Sequence, residues 1–312
     1  MSKKEKRKRW VYICVIAGII VSVVLILCKI YESQENIFFT EYENEYEKDD
    51  TIIYRYNSKS NSVVEIGRVQ GKLENCVINS DETYITGVIY DEVFEIVRYD
   101  LVAGTFEMLD AAEKIAALTD NHARCSNSLI YDGGNKIFVD FEDKNENVKW
   151  LLYDLTTDQY DIVTGQGIWS LTIHNNKLWY VVNSNMYQYD LESKERTKIM
   201  KSAQSDSVVM PEMGLVAYTK GLYNDKIYLY DMRTQETSYI AEGGWNTYYG
   251  ELNWTNSRWS DNGREFFYIE SFPELFNAST ERLMIYNVIT RSSRCRYKVK
   301  MTTHEFQYVL KR

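Results

Sequence analysis

The chain has 312 residues, 45% hydrophobic, 14% aromatic and 26% charged, with only 2 prolines and 15 glycines. That composition builds a packed globular protein and excludes a disordered or fibrous one. A net charge of −9 argues against nucleic-acid binding by the bulk of the chain, and 3 histidines with 5 scattered cysteines leave little for metal or thiol chemistry.

The first element is a basic tail, residues 1–9, containing Lys3, Lys4, Lys6, Arg7, Lys8 and Arg9. An apolar run follows from Trp10 to Cys28. At helical rise it spans roughly 28 Å, close to the hydrocarbon thickness of a bilayer. Trp10 and Tyr12 sit where interfacial aromatics belong, and the basic flank stays cytoplasmic by the positive-inside rule. A cleaved signal peptide needs a small-residue site after the apolar core, and Leu25-Ile-Leu-Cys28-Lys29-Ile30 offers no Ala-x-Ala pattern. A lipoprotein signal would end in a cysteine, as this run does, but Leu27 occupies the position that wants a small residue. The expectation is therefore an uncleaved signal-anchor over 10–29, a short linker over 30–35, and an ectodomain over 36–312. This predicts a single-pass protein of the cell membrane, N-terminus inside. Residues 1–29 carry a net +6 and residues 30–312 a net −15, so the outer domain is strongly acidic.

Beyond the linker one pattern occurs six times: Ile53-Tyr-Arg-Tyr-Asn57, Ile96-Val-Arg-Tyr-Asp100, Trp150-Leu-Leu-Tyr-Asp154, Met186-Tyr-Gln-Tyr-Asp190, Ile227-Tyr-Leu-Tyr-Asp231 and Leu283-Met-Ile-Tyr-Asn287. The tyrosines Tyr56, Tyr99, Tyr153, Tyr189, Tyr230 and Tyr286 are spaced by 43, 54, 36, 41 and 56 residues. Three positions before each stands a large apolar residue. Directly after stands Asp or Asn, and four positions after stands a small residue (Ser60, Ala103, Thr157, Ser193, Thr234, Thr290). An aromatic and β-branched run ending in Asx reads as a strand entering a tight turn, where the Asx side chain bonds the backbone two residues on. Each repeat continues into another strand and is preceded by a further strand pair. Examples of that pair are Val77-Ile78 before Tyr84–Ile89, and Leu171–Ile173 before Leu178–Val182. Four strands per unit and six units predict an all-β fold, a six-bladed β-propeller, preceded by one N-terminal transmembrane helix.

The segment Trp259-Ser-Asp-Asn-Gly263, then Phe266-Phe-Tyr268, then Ile285-Tyr-Asn287 resembles the repeat of the TolB-like and WD40-like six-bladed propeller superfamily. The resemblance covers residues of about 36–310 as an architecture and is closest in the sixth repeat, which lacks the family's proline. Members of that superfamily bind proteins or small ligands or regulate access to an attached enzyme, and none of these roles transfers by motif, because the repeated residues are structural.

The first repeat lacks an innermost strand, while one strand, His304–Leu310, is left over at the C-terminus. Joining the two would close the ring. With strands a to d in each blade, the a–b and c–d turns share one face, and the tether should enter on that face, placing it near the membrane. Long connections are expected on the opposite face: b–c loops over 142–149 and 271–282, and d–a loops over 110–122 and 241–253, the former containing a short helix over 111–118.

The candidate ligand-binding residues are Trp245, Tyr248, Tyr249 and Trp254, aromatics on a glycine-rich connector that could stack a sugar or anchor a peptide. The repeated Asp100, Asp154, Asp190 and Asp231 read as turn caps spread around the rim, too far apart for paired-carboxylate hydrolysis. His174 and His304 read as surface histidines, and Cys76, Cys125 and Cys295 as buried thiols. There is no G-x-S-x-G elbow, Walker loop, His-Glu-x-x-His or Cys-x-x-Cys. No catalytic residue, metal or cofactor is expected. The expected function is a non-catalytic binding module for a protein or glycan on the long-loop face. The alternative is a glycan-active enzyme, which would need acidic or tyrosine side chains converging at the propeller channel.

Overall fold

The computed structural model describes residues 36–45, 48–57, 60, 62–90, 94–120, 123–165, 168–201, 203, 207–220, 226–242, 257–260, 264–273, 279–301 and 304–311. Residues 10–28 lie outside them, and among the described residues no helix is long and apolar enough to cross a membrane.

Six four-stranded blades follow one another in chain order. Blade two is β4 (Leu73–Ile78), β5 (Tyr84–Tyr90), β6 (Phe94–Asp100) and β7 (Thr105–Met108). Blade three is β8 (Ala123–Tyr131), β9 (Lys136–Glu142), β10 (Val148–Asp154) and β11 (Tyr160–Thr164). Blade four is β12 (Trp169–His174), β13 (Lys177–Val182), β14 (Asn185–Asp190) and β15 (Arg196–Lys201). Blade five is β16 (Ser207–Met210), β17 (Leu215–Lys220), β18 (Lys226–Asp231) and β19 (Glu236–Glu242). Blade six is β20 (Ser257–Trp259), β21 (Glu265–Pro273), β22 (Ser279–Asn287) and β23 (Ser292–Met301). Blade one joins both ends of the chain. Its β1 (Asn36–Glu45), β2 (Lys48–Asn57) and β3 (Ser62–Gln70) are completed on the inside by β24 (His304–Lys311). The leftover C-terminal strand therefore closes the ring. It pairs antiparallel with β1, Phe38 facing Val309 through Glu43 facing His304, and its end runs parallel to β4.

The apolar side chains form six clusters, one at each junction between adjacent blades. Among the described side chains, strands such as β9 and β17 are covered on both faces, which is why they read as continuous apolar runs and do not alternate. Residues 137–141 of β9 are all buried, Asp140 included. The apolar position of the repeat supplies these layers: Ile53, Ile96, Trp150, Met186, Ile227 and Leu283 are all buried. The outermost strands face water, and every residue of β7 is exposed. Helix α1 (Ala111–Leu118) forms where the sequence predicts a short helix, and it buries Ala111 and Ile115 in the layer between blades two and three.

Each c–d turn is capped by its Asx residue. Asp100 Oδ1 accepts from the backbone N–H of Val102 at 2.7 Å and Ala103 at 2.8 Å. Asp154, Asp190 and Asp231 do the same for residues two and three positions on. Asn287 repeats the pattern in blade six, and Asn57 accepts from the Ser60 N–H in blade one. These bonds hold the aspartates below their ordinary value of 3.8: chiefly the Ala103 N–H at Asp100, the Ser193 N–H at Asp190 and the Arg233 side chain at Asp231. At Asp154 partial burial pushes upward and the Thr156 and Thr157 bonds outweigh it. A carboxylate depressed by folding contributes stability above its unfolded value and loses it as pH falls through the folded one. The propeller should therefore destabilise steadily below about pH 4. Asp→Asn at all four caps should flatten that limb of a melting-temperature profile while the turns persist. An unchanged acid limb would show that the caps do not govern it.

Three expectations are corrected. The b–c connections over 142–149 and 271–282 are not long loops. In blade three a five-residue turn, 143–147, is closed by Asp143, whose Oδ1 accepts from the N–H of Asn145 at 2.9 Å and Asn147 at 3.0 Å. In blade six β21 and β22 continue to Pro273 and from Ser279, so the extra residues lengthen a hairpin. The thiols are not uniformly buried. Cys76 is buried between blades one and two, where its pKa is raised by desolvation, whereas Cys295 is exposed on the outermost strand of blade six. Cys125 has no described side chain. The third correction, His174, belongs to the site below.

Candidate functional site

Trp245, Tyr248, Tyr249 and Trp254 lie outside the described residues, on the connection from blade five to blade six. Within the described residues the turn chemistry builds a different site, at the channel mouth on the face of the a–b turns. There a cavity of about 540 Å³ is lined by residues from blades three to six, among them Tyr131, Asp132, His174, Glu212 and Trp259. That volume suits a small ligand or a short chain segment.

The blade-three turn is fixed from its neighbour. Arg98 of blade two lies over the Tyr84 ring at 4.6 Å and donates to the Gly134 carbonyl at 3.3 Å, while the Tyr84 hydroxyl donates to Asn135 Oδ1 at 3.1 Å. Gly134 packs against Thr86 at φ +83, where a Cβ would clash with that side chain. This clamp sets Asp132 at the mouth, 2.8 Å from Lys136 Nζ. Tyr131 beside it is partly buried, and burial raises its phenol, with Asp132 and Asp154 adding to the rise. It therefore stays a neutral donor at physiological pH. In blade four the two-residue turn Asn175-Asn176 takes positive φ at both positions, 47 and 57, the geometry that joins twisted strands most tightly. It delivers His174 to the mouth, its Nε2 2.5 Å from Glu212 Oε1.

Glu212 belongs to a one-turn 3-10 helix, Pro211–Met213, closed by Gly214 in the left-handed region at φ 65. In blade six Ser260 bridges its own turn, its hydroxyl accepting from the Glu265 N–H at 2.9 Å. Trp259 donates to the Val208 carbonyl of blade five at 3.3 Å, so the indole both packs the blade junction and walls the cavity. The result is a cavity lined by two aromatic residues, by apolar Ile173 and Met210, and by two carboxylates, one held by Lys136 and one by the His174 imidazole.

His174 is thus not an isolated surface residue, because the a–b turn of an inner strand ends beside the axis. The sequence marks Asp132–Asn135, His174–Asn176 and Ser260–Gly263 as turns, and their common a–b position was the signal that they converge. Glu212 and Met210 carried no such mark. The four rim aspartates are turn caps, as expected.

No protein-family model and no curated protein matches the sequence. Solved structures share the fold. TolB from Acinetobacter baumannii superposes with a TM-score of 0.61 at 13% identity over 88% of this chain, which spans 66% of that protein's length. A protein assigned as TolB from Agrobacterium tumefaciens superposes with a TM-score of 0.56 at 10% identity, covering 89% of this chain and 99% of the other. The chain has the architecture of a TolB-like six-bladed β-propeller. A fold of this kind hosts many functions, so the function has to be argued from its sites.

Proposed function

We propose that the protein is a non-catalytic, membrane-anchored, extracytoplasmic propeller that serves as a binding and scaffold module for a protein or glycan partner. The observation that carries this reading is the mixed lining of the channel-mouth cavity, with aromatic faces beside fixed donors and acceptors. Such a lining binds by stacking and hydrogen bonding. The apolar run Trp10–Cys28 supplies the anchor. The aromatic connector with Trp245, Tyr248, Tyr249 and Trp254 offers a second docking surface.

Tyr131, Asp132 and Glu212 do converge at the mouth, which is what the glycan-active alternative requires. Their pairing favours binding. Asp132 is engaged by Lys136 and Glu212 by the His174 imidazole, so each carboxylate already holds a neighbouring side chain, whereas a hydrolase presents its two carboxyl groups to the substrate.

The test is a crosslinking pull-down from native membranes with the full-length chain as bait. It is compared with Trp245→Ala/Trp254→Ala and with Glu212→Lys. A partner retained by the wild type and lost in one variant locates the docking surface. Wild type without a partner, together with glycan cleavage by the ectodomain, would overturn the scaffold reading in favour of the enzyme.

A further inference from the structure

We infer that the propeller leans on the bilayer surface through the c–d turns of blades six and two, with Val102 and Ile289 entering the lipid headgroup layer. The inference rests on the anchor reading of residues 10–28.

The point where the chain enters the fold sets the orientation. Asn36 pairs with Asn57, the residue that opens the c–d turn of blade one. Its side chain donates to Glu82 Oε2 at 2.8 Å, in the a–b turn of blade two. The described fold therefore begins on the face of the a–b and c–d turns, beside blade two. Only residues 29–35 separate it from the apolar run. Fully extended, that tether reaches roughly 25–30 Å. A face tied so closely to a bilayer cannot turn far from it.

The turns that flank this point differ from the rest. Two residues after the Asx cap stands Val102 in blade two, 83% exposed, and Ile289 in blade six, 51% exposed. Phe106, 46% exposed, stands close behind Val102 at the start of β7. The matching positions are Thr156, Glu192 and Arg233 in blades three, four and five. Exposed aliphatic residues at the tips of capped turns are out of place in water. Both are held rigid by the Asx bonds, so inserting them costs little ordering entropy.

Charge does not single out this sector: the cap is neutral in blades one and six, Asn57 and Asn287, but blade two carries Asp100 and, in its a–b turn, Asp81 and Glu82, while the blade-five turn pairs Asp231 with Arg233. The apolar tips and the short tether therefore carry the approach to the bilayer. The tether supplies proximity and the tips supply orientation. Leaning on blades six and two raises blades three to five, so the channel-mouth cavity opens toward the lifted side and stays reachable.

The test uses the full-length protein in vesicles of phosphatidylcholine with a minority of phosphatidylglycerol. An environment-sensitive fluorophore is placed at Val102→Cys, Ile289→Cys, Thr156→Cys or Glu146→Cys. The background has Cys14, Cys28, Cys125 and Cys295 changed to Ser, and each variant is checked for a native melting curve. Flotation with the vesicles reports the anchor. Nitroxide-bearing lipid and aqueous iodide report the depth of each site. The expected result is several-fold stronger lipid quenching at 102 and 289 than at 156 and 146, with the iodide order reversed. If the protein floats but all four sites quench alike, the anchor stands and the leaning geometry is overturned. If the protein does not float, the anchor reading and this inference fall together.

Discussion

A chain ending at Thr303 should lose cooperative folding. The missing strand, β24, is the innermost strand of blade one, paired with β1 over six residues from Glu43 to Phe38, and its end also runs alongside β4. Without it, the inner edge of β1 is bare and blades one and two are no longer joined through a strand. At a net contribution of about 1 kcal/mol per hydrogen bond, the lost ladder alone removes several kcal/mol from a total stability of roughly 5–15 kcal/mol. The unravelling also exposes the layer between blades one and two, where Phe38, Ile78 and Tyr99 are buried. A circular-dichroism melt of the truncated propeller should show no single sigmoidal transition, and a synthetic peptide of residues 304–312 added in trans should restore part of it. A melt superposing on that of the intact propeller would mean that the ring is closed by something other than this strand.

That closure was legible in the sequence because strand counting is local. A first repeat short of one strand and a C-terminus with one to spare admit few solutions. The Asx caps and the buried position three before each tyrosine were legible for a similar reason. Each follows from a hairpin of a few residues, whose geometry is set by sequence neighbours. The α1 helix announced itself by its alanine-rich run.

The cavity is a different kind of object. Tyr131, His174, Glu212 and Trp259 come from four blades and meet only because the ring curves back on itself. No periodicity records that curvature, and the turn residues at the mouth look like any other turn residues. The b–c hairpins were misread for a related reason. In blade six, Glu270-Ser271 and Ser279-Thr-Glu-Arg282 are polar and flank Pro273, and a polar strand end beside a proline is hard to tell from a loop. The exposed tips needed both levels: the repeat identified the tip position, and the structure showed that Val102 and Ile289 stand exposed there.

Trp150→Ala should be among the most damaging single substitutions in the propeller. Trp150 is 2% exposed and lies between blades three and four. Its ring meets Phe138 at 5.9 Å, Tyr180 at 5.3 Å and Tyr189 at 5.8 Å, edge-on to both tyrosines. Truncation leaves a cavity in a layer that cannot collapse, since each blade is held by the next around a closed ring. The expected cost is about 3–5 kcal/mol, a fall in melting temperature of roughly 10 °C.

Gly165 provides the complementary test. It follows β11 directly, and its N–H donates to the Val148 carbonyl at 3.0 Å. A Cβ built there falls inside the envelope of the Trp150 indole. Gly165→Ala should therefore destabilise by overpacking, by about 1–3 kcal/mol. Trp150→Phe should cost less than Trp150→Ala, because it keeps an aromatic ring in the layer. Combining Trp150→Phe with Gly165→Ala should cost less than the sum of the two, because the smaller ring vacates the space that the new methyl needs. Urea unfolding of the four variants measures this coupling. Strict additivity would show that Gly165 is kept for its backbone and not for the indole it admits.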